Sequence, residues 1–145
     1  MNVTDTSLRR ILQRDKVIAV VGLSDRPSRP SHEVAAYLQR HGYRIVPVNP
    51  RLAGETVLGE TVHASLADAQ AALASEGAAI GMVDVFRKSA DVPSVVADAI
   101  AIGARSLWLQ LDVRHDAAAA QAEAAGLDVV TDRCVKIEHR RLSAG

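Results

Sequence analysis

The segment KVIAVVGL, Lys16–Leu23, is a short apolar run that is rich in valine and isoleucine and has a glycine near its end. Runs of this kind are typical of strands that are buried on both faces of a parallel sheet. Parallel strands are joined by crossover connections, which are usually helices. If Lys16–Leu23 is such a strand, the chain on its carboxyl side should alternate between helices and further strands.

Four more segments have the composition of strands, with β-branched or aromatic residues between polar or turn-forming ones. They are Arg44–Val48 (RIVPV), Ala79–Phe86 (AIGMVDVF), Ser106–Leu111 (SLWLQL) and Asp128–Thr131. Pro47 cannot donate a hydrogen bond to a neighbouring strand, which suits its place near the end of the second run.

Helical segments fall between these strands. The first begins at Ser31, an eligible N-cap residue, and stops at Gly42, while Val34 and Leu38 recur between them at helical spacing. Helices are also predicted over Ser65–Ala74, Asp91–Ile102, His115–Ala125 and Cys134–Leu142. Strands that alternate with helices predict an α/β fold, an open and mostly parallel five-stranded sheet with helices on both faces.

The composition is that of an ordinary globular domain. Apolar residues make up 48% and charged residues 23% of the 145 residues, and this length predicts a single domain over residues 1–145. Seventeen basic residues balance 17 acidic ones, so we expect no nucleic-acid partner. No apolar run approaches about 18 residues and Met1–Gln13 has no apolar signal core, so we expect no membrane contact and a cytoplasmic protein.

The loop after the first strand is a candidate phosphate site, because ligands of open parallel sheets bind outside the carboxyl ends of the strands. Gly22, Leu23 and Ser24 follow the apolar run, and Arg29 precedes the next helix. A glycine allows close approach of backbone amides, and a helix N-terminus favours an anion. The loop matches neither G-x-G-x-x-G nor a P-loop. A plain tight turn before a helix explains it equally well.

The second strand is followed by Asn49, Pro50 and Arg51. Dinucleotide enzymes commonly have an Asp or Glu at this point, which holds a ribose hydroxyl. An arginine suits a phosphate on the ribose better, because its planar guanidinium pairs with two oxygens. The segment therefore favours NADP or a 3′-phosphorylated nucleotide over NAD. The alternative is that Arg51 is a solvated surface residue.

The third and fourth strands end in Val85–Phe86–Arg87 and Gln110–Leu111. Phe86 either covers an adenine or packs in the core. Asp84 lies inside a predicted strand, where a buried carboxylate needs a partner. It either faces the ligand crevice or accepts hydrogen bonds from a neighbouring loop. Trp108 is expected in the core, packed on the alanine-rich helix.

Candidate catalytic groups are few. The five histidines show neither H-x-x-x-H spacing nor a cluster with carboxylates, so we expect no metal site. The one cysteine, Cys134, excludes an intramolecular disulfide and is expected to be a small core residue rather than a nucleophile. We therefore assign no catalytic residue.

Taken in order, the motifs resemble the small stand-alone CoA-binding protein family, which is similar to the nucleotide-binding amino-terminal domain of the succinyl-CoA synthetase alpha subunit. The matching stretches span nearly the whole chain. They are VIAVVGLS (Val17–Ser24), RPSHEVAAYL (Arg29–Leu38), GYRIVPVNP (Gly42–Pro50), LGE (Leu58–Glu60), VDVFR (Val83–Arg87), WLQL (Trp108–Leu111) and DRCVKIEHRRL (Asp132–Leu142).

The resemblance implies a single Rossmann-like domain that binds coenzyme A, and it assigns a role to each strand end. The implied contacts are Gly22, Leu23, Ser24 and Arg29 for the phosphates, Asn49, Pro50 and Arg51 for the adenosine end, Val85, Phe86 and Arg87 for the nucleotide wall, and Gln110 and Leu111 for the pantetheine arm. The chain departs from the family at Asp112, where glycine is frequent.

These observations favour a protein that binds CoA or an acyl-CoA as a small-molecule ligand without evident catalysis of its own. The synthetases phosphorylate a histidine in a second domain, and we expect no such domain in this chain. Two alternatives remain open. One is an NADP-dependent oxidoreductase, and the other is an interaction module with a degenerate nucleotide pocket. The sequence names no protein partner.

Overall fold

The computed structural model describes residues 3–143, so the first two and last two residues of the predicted domain lie outside the described residues. The strands are β1 (Val17–Val21), β2 (Arg44–Val48), β3 (Thr56–Val57), β4 (Glu60–Thr61), β5 (Met82–Val85), β6 (Ser106–Leu109) and β7 (Asp128–Val130). The helices are α1 (Asp5–Arg14), α2 (Pro30–Arg40), α3 (Leu66–Ala74), α4 (Val92–Ala101), α5 (Asp116–Ala124) and α6 (Val135–Ser143). Short 3₁₀ helices span Pro50–Leu52 and Ser89–Asp91.

Within residues 3–143, five parallel strands form one sheet in the order β2-β1-β5-β6-β7, and β3 and β4 form a separate antiparallel hairpin. The chain moves outward from β1 to β2 and then returns to place β5 on the other side of β1. This reversal creates a crevice outside the carboxyl ends of β1 and β5. The predicted α/β fold with a parallel five-stranded sheet is confirmed.

Helices cover both faces of the sheet, and the core has two layers. On one face Val83 and Val85 pack with residues of α3, α4 and α5. On the other face Met82 packs with residues of α1, α2 and α6. Adjacent side chains of a strand point to opposite faces, so consecutive residues of β5 belong to different layers.

Trp108 is fully buried, but its predicted contact with the alanine-rich helix is wrong. It lies in the layer covered by α1, α2 and α6, whereas its neighbours Leu107 and Leu109 share the layer of α5. The alternation of side chains along β6 is the reason. The indole Nε1 donates a hydrogen bond to the carbonyl oxygen of Arg133, 2.9 Å away.

The predicted cap of α2 is also wrong. The helix begins at Pro30 with Arg29 as N-cap residue, because proline is favoured in the first helical turn. Ser31 therefore lies inside the helix, and its hydroxyl accepts a hydrogen bond from the Ser24 amide at 3.0 Å. By contrast, Ser65 caps α3 as predicted and accepts from the Asp68 amide at 3.1 Å.

One helix and one hairpin of the structure have no counterpart among the predictions. Helix α1 opens with a capping box between Thr4 and Ser7 and buries Leu8, Ile11 and Leu12 against the sheet layer of α2 and α6. The β3–β4 hairpin turns through Leu58 and Gly59, both at positive φ. None of the helices in residues 3–143 has the length and apolarity needed to cross a membrane.

Candidate functional site

A cavity of about 1250 Å³ opens at the carboxyl edge of the sheet, where the strand order reverses. Most of the sequence-predicted site residues line it. They are Gly22, Ser24, Arg29, Asn49, Pro50, Arg51, Phe86, Arg87, Gln110 and Leu111. The remaining two, Leu23 and Val85, are fully buried in the two core layers, and their side chains do not reach the cavity wall.

Gly22 stands where three strands converge. Its amide donates to the carbonyl oxygen of Val48 at 2.9 Å, and its φ is 91°. A Cβ at this position would run into the backbone carbonyl of Phe86, so no side chain fits without a shift of the β5 end. The packing of the strands therefore requires glycine at this position.

The loop between β1 and α2 is shaped by its own hydroxyl groups. The Ser31 hydroxyl accepts from the Ser24 amide, and the Ser24 hydroxyl accepts from the Arg26 amide at 3.1 Å. These bonds hold the loop in front of the N-terminus of α2, where the helix dipole favours an anion. The side chains of Arg26 and Arg29 are exposed and have no carboxylate partner within the described chain.

The end of β2 is fastened to the same loop by Asn49. Its Oδ1 accepts from the Arg51 amide at 3.0 Å, and its Nδ2 donates to the carbonyl oxygen of Leu23 at 3.1 Å. Asn49 thus uses both ends of its side chain for the fold. Arg51 is left exposed at the cavity, and no ion pair involves it among residues 3–143.

The end of β5 contributes an aromatic ring and two cations. Phe86 is half-buried, lines the cavity and packs against the core layer of α2 and α6, so its expected place in the core holds in part. Arg87 is paired, with its Nη2 3.1 Å from Oδ2 of Asp91. Lys88 lines the cavity beside them and is exposed.

Asp84 lies beneath the cavity rather than in its wall. It is 0% exposed and stands between Val20 and Trp108 in the sheet register. Its Oδ1 accepts a hydrogen bond of 2.5 Å from Nε2 of Gln110, and its Oδ2 has no partner among the described residues. Burial raises the pKa of Asp84 to about 7, and the bond from Gln110 acts in the opposite direction.

Gln110 links this buried carboxyl to the start of α6. Its Oε1 accepts from the Val135 amide at 3.4 Å while its Nε2 donates to Asp84. Of the two alternatives for Asp84, the hydrogen bond from a neighbouring segment is therefore the one found. The side chain of Gln110 is committed to the fold, although the residue lines the cavity.

Several lining residues were not among the predicted contacts. They are Arg26, Pro30, Ser31, Val34, Lys88, Asp91, Asp112, Val113 and Cys134. Most are sequence neighbours of predicted residues, so a wider window around each strand end would have included them. Cys134 is half-buried, packs against the core layer of α1, α2 and α6 and also lines the cavity, and only its place just after β7 indicated the second position.

Comparisons with known proteins identify the family of the chain. A family model described as a CoA binding domain matches residues 16–140. The uncharacterized protein YneT of Bacillus subtilis (strain 168) is 36% identical over 138 residues, which cover 95% of this chain and 96% of that protein.

Solved structures show the same fold along the whole chain. A structure from Thermus thermophilus described as cell-free ID.343 is 38% identical, with a TM-score of 0.85. The match covers 97% of this chain and 99% of the Thermus thermophilus chain. A hypothetical protein from Pyrococcus horikoshii OT3 is 38% identical with a TM-score of 0.88, covering 98% and 94%. The match to RSP, a Rex-family repressor, reaches a TM-score of 0.58 at 13% identity over 96% of this chain and 62% of that chain, and it shows the Rossmann-like fold alone.

The family model and the relatives cover nearly all of the chain and confirm the resemblance that the motifs carry. The chain belongs to the family of small proteins built on a CoA-binding domain.

Proposed function

We propose that the protein binds coenzyme A or an acyl-CoA in this cavity, in the cytoplasm and without a reaction of its own. The observation that carries the proposal is a set of cations around one cavity that lack carboxylate partners within residues 3–143. They are Arg26, Arg29, Arg51 and Lys88. Charged groups of one sign raise the local concentration of a ligand of the opposite sign, and CoA is a polyanion with three phosphates.

The loop between β1 and α2 suits the diphosphate of CoA. Gly22 lines the cavity at the start of this loop, and the N-terminus of α2 supplies a favourable dipole. Arg29 stands at the N-cap position of the helix, so its guanidinium is near the same point. Together these groups supply several donors and a positive charge to one anion.

The end of β2 suits the phosphate on the ribose. Asn49 holds the backbone of this segment to the loop of β1, and Arg51 extends from it into the cavity. The ring of Phe86, at the end of β5 on the other side of β1, lines the same cavity and can flank the adenine. The pantetheine arm is then directed toward Gln110 and Leu111.

Calorimetric titration with CoA, dephospho-CoA, NAD and NADP tests the proposal. We expect CoA to bind most tightly. Tightest binding of NADP would favour the oxidoreductase, and absence of binding by all four ligands would favour an interaction module with a degenerate pocket. Either result overturns the proposal.

A matched pair of variants shows whether the binding site is the cavity. Arg29→Gln removes a cavity cation, whereas Arg40→Gln removes an exposed cation at the far end of the same helix. We expect Arg29→Gln to weaken CoA binding about fivefold and Arg40→Gln to leave it unchanged. Equal affinities of the two variants would place the ligand elsewhere.

A further inference from the structure

Among the described residues that line the cavity, the charged side chains without an ion-pair partner change sign from one side of the crevice to the other. Arg29 follows β1 and Arg51 follows β2, on one side of the crevice, and Lys88 follows β5 near its middle. Asp112 follows β6 and Asp132 follows β7, on the other side. The cavity runs across this gradient, since its wall includes both Arg51 and Asp112.

Asp112 is held in place through its backbone, while its carboxylate is left unpaired. Its amide donates to Oδ1 of Asp132 at 2.7 Å, and its carbonyl oxygen accepts from the Ser89 hydroxyl at 3.4 Å. Its φ of 67° is uncommon for a residue other than glycine. No hydrogen bond or ion pair to its carboxylate occurs among residues 3–143, in contrast to Asp91, which is paired with Arg87.

Uncharged residues precede and follow Asp112 in the chain and line the cavity with it. Leu111 is 54% exposed there, although it is a large apolar residue, and Val113 and Cys134 line the same end. An uncharged ligand segment can therefore lie against this end of the cavity, but a second negative charge would meet the Asp112 carboxylate.

Resting on the proposed function, we propose that Asp112 selects the acyl group by rejecting acyl-CoA ligands that end in a carboxylate. If the phosphates of CoA lie against the cations of β1 and β2, the pantetheine arm is the segment of the ligand without negative charge. It is therefore the segment that fits the β6 end. Free CoA and neutral acyl groups are accepted there, and dicarboxylic acyl groups are disfavoured.

Butyryl-CoA and succinyl-CoA make a matched pair of probes, because their four-carbon acyl groups differ in having a methyl or a carboxylate at the end. We expect wild type to bind butyryl-CoA about three- to fivefold more tightly than succinyl-CoA, a small ratio because the site is exposed to water. Raised salt should shrink this ratio in wild type, which requires no variant.

Asp112→Asn should abolish the preference by strengthening the binding of succinyl-CoA, while the affinity for free CoA stays within about twofold of wild type. Asparagine also tolerates positive φ, so the backbone has no reason to change. Asp98→Asn on the exposed surface of α4 removes the same charge away from the cavity and should keep the wild-type ratio.

Equal binding of the two acyl-CoA probes by wild type, with CoA bound normally, would overturn the role of Asp112 and leave the proposed function standing. A preference for butyryl-CoA over succinyl-CoA that persists in Asp112→Asn would also overturn the role of Asp112 and leave the proposed function standing. Failure of CoA and both acyl-CoA probes to bind wild type would overturn the proposed function and the selection by Asp112 together.

Discussion

Two buried aspartates lie near opposite edges of the sheet, and their surroundings differ. Asp15, before β1, is 1% exposed and accepts three hydrogen bonds, two of 2.8 Å from the guanidinium of Arg14 and one of 2.7 Å from the hydroxyl of Ser106. Asp84, at 0% exposure in β5, accepts one bond from Gln110 and has no cationic partner in the described part of the chain.

The contrast extends to the surface charges of the two edges. At the amino edge Arg10 and Arg14 both pair with Asp128, at 2.9 and 3.0 Å. At the carboxyl edge Arg29 and Arg51 have no carboxylate partner within residues 3–143. Charges that neutralise one another fasten α1 to the strands, whereas charges that lack partners are suited to a ligand. The amino edge therefore serves the fold, and the carboxyl edge carries the candidate site.

The largest expected effect concerns Asp84, the buried aspartate without a cationic partner among the described residues. Burial raises the pKa of Asp84 to about 7 in the folded protein, and a carboxyl of this type has an ordinary pKa of 3.8. Between about pH 4 and 7 the folded protein keeps a proton that the unfolded chain has lost. The free energy of unfolding should therefore fall as pH rises through this range, by on the order of 4 kcal/mol, and this contribution should be level above pH 7.

Asp84→Asn should remove this part of the pH dependence and be more stable than wild type above pH 7. Urea denaturation at several pH values measures it, as the difference between variant and wild type. The difference is used because burial lowers the pKa of His139 below its ordinary value of 6.5, and this contribution makes stability rise with pH in both proteins. Asp98→Asn is the control for simple charge removal. If the difference in the free energy of unfolding between variant and wild type did not change between about pH 4 and 7, the pKa of Asp84 would not be raised in the folded protein.

Removal of Asp15, the buried aspartate that is paired with Arg14, should have the next largest effect on stability. Asp15→Ala leaves the guanidinium of Arg14 and the hydroxyl of Ser106 without their buried partner, and we expect a loss of about 3 kcal/mol in the free energy of unfolding. Arg10→Ala should cost far less, because Arg10 is half-exposed and Asp128 keeps its bond to Arg14. A loss in Asp15→Ala as small as that in Arg10→Ala, measured by urea denaturation at pH 7, would contradict the structural role of Asp15.

Much of the fold is predictable from local sequence, and the exceptions have physical reasons. The apolar run Arg44–Val48 has the same bounds in sequence and structure, since a buried parallel strand needs continuous apolar residues. Strands of the β3–β4 hairpin have two residues each, too few for a pattern. Helix α1 was predictable in principle, because Leu8, Ile11 and Leu12 have helical spacing.

The candidate site was predictable as a set of strand ends but not in its interactions. Gly22 indicated a close approach, but only the folded structure shows that the neighbour is the carbonyl of Phe86. The bond between Asp84 and Gln110 depends on the register of β5 and β6, which local sequence does not contain. The same holds for Ser31, whose hydroxyl shapes the loop rather than capping the helix.

The smallest expected effect in this series concerns Arg51, and it would sharpen the contrast between the two edges. A cation without a partner can contribute its full interaction to a ligand, because no ion pair must first be broken. If Arg51 contacts the 3′-phosphate, wild type should bind CoA about five- to tenfold more tightly than dephospho-CoA, the exposed position keeping the ratio modest.

Arg51→Ala should lower the affinity for CoA to the level of the affinity for dephospho-CoA. The affinity for dephospho-CoA itself should stay nearly unchanged, as measured by calorimetry. Raised salt should narrow the wild-type ratio, because the contact is exposed and screened. Arg10→Ala is the matched control at the amino edge, where the arginine is already paired, and it should leave both affinities unchanged. If Arg51→Ala weakened both ligands equally, Arg51 would contact the diphosphate or support the loop. If wild type bound both ligands alike, the 3′-phosphate would lie away from Arg51, and Lys88 would be the next cation to test.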